Sequence, residues 1–148
     1  MKKLILGLAA IISLNACSDN DSPSQEIDSG LFTINITQTG DYQSYRCIIA
    51  GNMTDSDFID CSGQTQDLLV NYLLNDFESC SLKSTDKATQ LSGSVRVGDM
   101  KIGLVTAGEM TLEIKIQLDG ETIWERIIQQ TEDGEPKIET FDLDPADY

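Results

Sequence analysis

The chain has 148 residues, with 10 Lys plus Arg against 25 Asp plus Glu, no His and 4 Cys. That length holds one domain, and a formal charge of −15 repels nucleic acid phosphates and anionic lipid headgroups. Without histidine, the usual general base, the Ser/His and Cys/His nucleophile pairs and imidazole zinc sites are all excluded.

Lys2 and Lys3 precede an uncharged apolar run from Leu4 to Leu14, far short of the roughly 20 residues that span a bilayer. Residues 1–16 therefore read as a secretory signal peptide. They lead into Leu14-Asn15-Ala16-Cys17, which resembles the lipobox of bacterial lipoproteins. The resemblance implies diacylglycerol and acyl groups on Cys17 and a bacterial envelope location. Such chains, at about 0.8 kcal/mol per buried methylene, hold a protein to a bilayer. Ser18 follows the cysteine, whereas Asp at that place retains enterobacterial lipoproteins at the inner membrane, so the outer membrane is the expected destination. Residues 17–29 carry Ile27 as their one large apolar side chain and are predicted to be a solvated tether.

A folded domain is expected over residues 30–130. Phe32, Ile34 and Ile36 alternate with polar residues, and Tyr45, Cys47 and Ile49 alternate likewise, which predicts two strands. Gly40 lies between them in Thr39-Gly40-Asp41-Tyr42, so a type II′ hairpin is expected, with Ile36 opposite Tyr45, Ile34 opposite Cys47 and Phe32 opposite Ile49. In the loop that follows, Asn52, Asp55, Asp57 and Asp60 are oxygen ligands of the kind calcium takes. Their spacing is not that of an EF-hand, and no metal is expected there, with Asp55, Asp57 and Asp60 the weak candidates.

Leu69, Val70, Leu73, Leu74, Phe77 and Cys80 recur at three- and four-residue intervals behind Thr65 and Asp67, which predicts one amphipathic helix over 65–80. An all-β alternative would make 67–75 a strand, and the helical spacing argues against it. Such a helix is roughly 24 Å long and holds Cys61 away from Cys80. With Cys17 acylated, the expected disulfide is Cys47–Cys61, closing a loop of about 15 residues for about 3 kcal/mol, with Cys47–Cys80 as the alternative. The remaining thiol is expected to be a buried small hydrophobe rather than a nucleophile.

Val95 and Val97, then Met100, Ile102 and Leu104, suggest short strands. Leu112, Ile114, Ile116 and Leu118 alternate with polar residues before Asp119-Gly120, a type I′ turn into a second strand over 121–129. With Leu118 opposite Glu121, Lys115 faces Trp124 and Glu113 faces Arg126, a candidate recognition patch of Lys115, Trp124 and Arg126. That register leaves Glu125 against Ile114 on the apolar face, without explanation. Residues 131–148 hold seven acids and are expected to be an acidic tail with an edge strand at 138–141.

The expected fold is therefore α+β, a mainly antiparallel sheet of about five strands with one helix on one face. The lipobox, the hairpin, the helix ending at Cys80 and Gly108-Glu109-Met110-Thr111-Leu112-Glu113-Ile114 leading into the Asp119-Gly120 hairpin together resemble the α+β pilotin lipoproteins of type II secretion. That resemblance implies a groove between helix and sheet, lined here by Leu69, Leu73 and Phe77, that holds a segment of a secretin subunit. Tyr45-Arg46-Cys47-Ile48-Ile49-Ala50-Gly51 is also similar to the start of periplasmic lysozyme inhibitors. The expected function is a non-enzymatic, lipid-anchored envelope module that binds a protein and has no cofactor beyond its lipid. The alternatives are an acidic inhibitor of a cationic protein or a small carboxylate-dependent enzyme.

Overall fold

A computed structural model describes residues 28–100 and 106–148, with the side chains of residues 99 and 100 left aside. The expected signal peptide, Cys17, the expected tether up to residue 27, and Ile102 and Leu104 lie outside the described residues.

The chain forms ten strands: β1 Phe32–Gly40, β2 Tyr45–Thr54, β3 Phe58–Ile59, β4 Thr65–Gln66, β5 Leu69–Leu73, β6 Ser79–Ser84, β7 Gln90–Met100, β8 Met110–Leu118, β9 Glu121–Gln130 and β10 Lys137–Leu143. The helices among the described residues are two single 3-10 turns, Tyr42–Ser44 and Pro145–Asp147. The strands build a six-stranded sheet, β4-β3-β6-β1-β8-β9, and a four-stranded sheet, β10-β7-β2-β5. All their pairings are antiparallel. The α+β expectation is thus overturned: the molecule is a β-sandwich, and 65–80 holds β4, β5 and a crossing segment in place of a helix.

The core follows from period-two alternation on both sheets. Ile34, Ile36, Leu82, Leu112, Ile114 and Ile116 point inward from the larger sheet, and Tyr45, Cys47, Ile49, Leu91, Val95 and Val97 from the smaller one. β1 and β2 form where the alternation predicts strands, but the expected hairpin and its pairs Ile36–Tyr45, Ile34–Cys47 and Phe32–Ile49 do not, because the two strands belong to different sheets. A turn through Gly40, at φ +75°, and the Tyr42–Ser44 helix carry the chain from one sheet to the other. β1 then pairs with β6 and β8, and β2 with β7 and β5. Their apolar sets share one core, as the alternation implied, yet they meet across the sandwich rather than across a ladder.

The false helix has a local cause. Leu69 and Tyr72 both face inward, three residues apart, because the β2–β5 register shifts between Ile49 and Gly51. Asn71 sits there at φ +50°, a left-handed conformation that Asn tolerates. The extra residue breaks strict alternation and imitates helical spacing. The crossing to β6 is then held by side chains. Gln38, fully buried, donates from Nε2 to the Leu74 and Phe77 carbonyls at 2.8 and 2.6 Å. Asn75 donates from Nδ2 to the Tyr42 and Tyr45 carbonyls, and its Oδ1 accepts from the Cys47 N–H. Buried backbone leaving a sheet needs such partners.

With no helix between them, Cys61 and Cys80 are disulfide-bonded, their Cα atoms 5.3 Å apart. This replaces both expected pairings of Cys47. That residue is buried instead, its Sγ 3.8 Å from the Met110 Sδ. The bond ties the loop after β3 to β6, and a closure of this length contributes about 3 kcal/mol.

The hairpin β8–β9 forms through Asp119 and Gly120, both at positive φ, as a type I′ turn requires. Its register follows the sequence reading for two pairs and then shifts between Ile116 and Gln117. The bulge moves Trp124 opposite Ile116, Glu125 opposite Lys115 and Arg126 opposite Ile114. The misplaced Glu125 is thereby corrected: it lies on the outer face, 3.4 Å from Lys115. The expected edge strand near the C-terminus is β10, which pairs with β7 over its whole length. Phe141 and Leu143 are buried, so residues 137–143 are part of the sandwich rather than tail. Gly93 permits this, because a Cβ there would strike the Phe141 ring at 2.7 Å.

Candidate functional site

Three connections between the sheets meet at one end of the sandwich: β2 to β3, β4 to β5 and β6 to β7. Each is short and runs over the surface, as connections do, and together they enclose a depression of about 340 Å³. Asp55, Asp57, Asp67 and Asp86 line it, with Ser56 and Thr85.

The loops are pinned to each other. The Thr85 N–H donates to the Asp57 carbonyl at 3.0 Å, and the Asp57 N–H donates to Thr85 Oγ1 at 3.3 Å. Ser56 Oγ accepts from the Asp86 N–H at 3.0 Å, and Asp55 Oδ2 accepts from Thr89 Oγ1 at 2.9 Å. Asp55 stands at φ +68°, where a short polar side chain is tolerated. None of the four carboxylates is ion-paired to a Lys or Arg among the described residues. The donor set is oxygen throughout, which suits a hard cation. No three acidic side chains among the described residues converge on one metal position, so an ion seated here would keep several waters.

Asp60, grouped with Asp55 and Asp57 in the sequence, is elsewhere. It is buried, and its carboxylate organises the turn after β3. It accepts from the Ser62 and Gln64 N–H groups at 2.8 and 2.9 Å and from Gln66 Nε2 at 3.2 Å. Burial pushes its pKa up, but the hydrogen bonds from Gln64, Ser62, Gln66 and Gly63 together outweigh this and hold it below the ordinary value. Asp67 and Asp86 carry no local signal that groups them with Asp55 and Asp57; only the strand order brings them into the same depression.

The expected peptide groove is not assembled. Leu69 is in the core at 2 % exposure, Leu73 points outward at 53 %, and Phe77 stacks on Tyr72 with centroids 6.4 Å apart. The recognition patch is divided as well. Lys115 is on the outer face, paired with Glu113 and Glu125, and these carboxylates, Glu113 first, raise its pKa. Trp124 and Arg126 are on the opposite face, where the β9 and β10 edges adjoin. The Arg126 guanidinium lies 5.0 Å from the Trp124 ring, which packs edge-on against Phe141 at 5.6 Å. Arg126 also reaches Glu139 at 3.7 Å. That cluster closes the sandwich edge.

A further depression, of about 350 Å³, lies on the outer face of the four-stranded sheet, with Leu68 and Val70 at its rim and Ala50, Ser92 and Ser94 in its floor.

No protein-family model matches the chain, and no curated protein is similar to it. Three solved structures share its fold. A protein from Parabacteroides distasonis, solved by NMR in its calcium-bound form, is 22 % identical at a TM-score of 0.64, covering 79 % of this chain and 90 % of its own. A DUF4425 domain of unknown function from Bacteroides vulgatus is 17 % identical at a TM-score of 0.58, over 78 % of this chain and 94 % of its own. A DUF4425 family protein from Bacteroides ovatus is 16 % identical at 0.54, over 79 % and 96 %.

Proposed function

We propose that the protein is a lipid-anchored, non-enzymatic envelope module and that its acidic depression takes calcium. The observation that carries the calcium reading is the meeting of four aspartates from three separate loops in one depression, with no Lys or Arg paired to them. The Parabacteroides neighbour of the same fold, solved in a calcium-bound form, supports the choice of ion. Because carboxylates do not converge in threes, hydroxyl, carbonyl and water oxygens complete the shell. Affinity then falls at the weak end, about 10⁻⁴–10⁻³ M, in the range of extracellular modules.

Calorimetric titration of the metal-stripped protein with calcium tests this. One site in that range, lost in Asp57→Asn with Asp86→Asn, is expected; no heat, or heat unchanged in the double variant, contradicts it. Anchoring rests on the Leu14–Cys17 motif. Cys17→Ser is expected to move the protein out of the membrane fraction, and continued sedimentation with membranes would contradict the anchor. The outer membrane is the proposed destination, on Ser18.

A further inference from the structure

The outer face of the four-stranded sheet is unusual for so acidic a chain. Three of its large apolar side chains are well exposed along one edge: Leu68 at 46 %, Val70 at 66 % and Leu73 at 53 %. The pairings fix what lies beside them. One cross-strand row runs Leu73, Ile48, Arg96, Ile138. The next runs through Ala50, Ser94 and Thr140, and the third through Asn52, Ser92 and Asp142. The face is thus basic at the Arg96 end, acidic at the Asp142 end and made of small side chains between. Arg96 and Arg46, both outward on this face, have no ion pair among the described residues.

We propose that this face docks on the same face of a second copy, about a two-fold axis that runs across the strands through the Val70 row. Such an axis keeps each strand over its own mate and reverses direction along it. Leu73 of one copy then meets Leu68 of the other, and Val70 meets its counterpart. Arg96 then lies over the other copy's Ser92, one strand from its Asp142, twice over. The small residues Ala50, Ser92 and Ser94 let the sheets approach to the usual distance of about 10 Å. Four strands and five or six residues span roughly 20 Å by 20 Å, a footprint of about 400 Å² against about 800 Å² per partner in a standard interface. The association is therefore weak and reversible, and the other charges oppose it.

A short bis-maleimide applied to native membranes that carry the full-length protein tests the geometry, with Val70→Cys as the reporter and the parent chain as background. Ile127→Cys, 61 % exposed on the outer face of the other sheet, is the control. Cross-linked dimer at least tenfold above the Ile127→Cys yield is expected. Arg96→Glu is expected to lower it several-fold, and Asp142→Arg in the same chain to restore it, a rescue that a merely destabilised fold would not give. Equal yields from the two cysteines, no rescue by the charge swap, or Val70→Cys cross-linked to a different protein would each overturn the proposal.

Discussion

Asp60 and Asp57 are three residues apart and do opposite things. Asp60 is buried and takes hydrogen bonds from Ser62, Gln64 and Gln66, so its charge is spent inside the molecule. Asp57 faces solvent in a depression with Asp55, Asp67 and Asp86, and its charge remains available to a cation. Whether an acidic residue is engaged inside the fold or left open to solvent is decided here by where its hydrogen-bond donors are, and those are set by loops that the strand order brings together.

The contrast is sharpest in stability. The largest effect is expected from the bond that holds the Asp60 turn to the larger sheet: Cys61→Ser with Cys80→Ser lowers unfolding free energy by about 3 kcal/mol, read by urea denaturation. Asp60→Ala removes the acceptor shared by the Ser62 and Gln64 N–H groups and Gln66 Nε2, at about 2 kcal/mol. Asp57→Ala, by comparison, is expected to stay within about 0.5 kcal/mol in metal-stripped buffer. A Cys pair that proves neutral, or an Asp57 change as costly as the Asp60 one, would break the distinction.

On the proposed reading, calcium is expected to separate the two regions in the opposite sense. At ten times its Kd, an ion bound only by the folded state stabilises by about 1.4 kcal/mol. Wild type and Asp60→Asn are expected to gain this shift in melting temperature, whereas Asp57→Asn with Asp86→Asn is not. The smallest effect is in pH. The Asp60 pKa is lowered in the folded state, so its contribution is complete above the unfolded value of about 3.9. It is lost as pH falls below that through the folded value. The stability difference between wild type and Asp60→Asn is therefore expected to be constant from pH 5 to 7 and to shrink below pH 4.

Alternation made β1, β2, β8 and β9 legible, together with the Asp119-Gly120 turn and the inward position of Cys47, because each depends on neighbours along the chain. Two bulges defeated the rest. The irregularity at Asn71 turned an edge strand into an apparent helix, and that helix then separated Cys61 from Cys80 and removed the correct disulfide from consideration. The bulge after Ile116 misplaced Trp124, Glu125 and Arg126 by one residue and so by one face. Pairing partners were equally out of reach: an apolar stripe reports that a strand faces a core, not which sheet it joins. For the same reason the nearness of Asp55 to Asp57 is legible in the sequence, while the arrival of Asp67 and Asp86 beside them is not.

Residue-resolved amide chemical shifts of the metal-stripped protein, followed as calcium is added, test the central claim most directly. Saturable shifts confined to 55–57, 67 and 85–89, with the Asp60 turn at 61–66 unmoved, are the expected result. Shifts centred on the Asp60 turn, spread evenly over the acidic surface, or absent at millimolar calcium would contradict it.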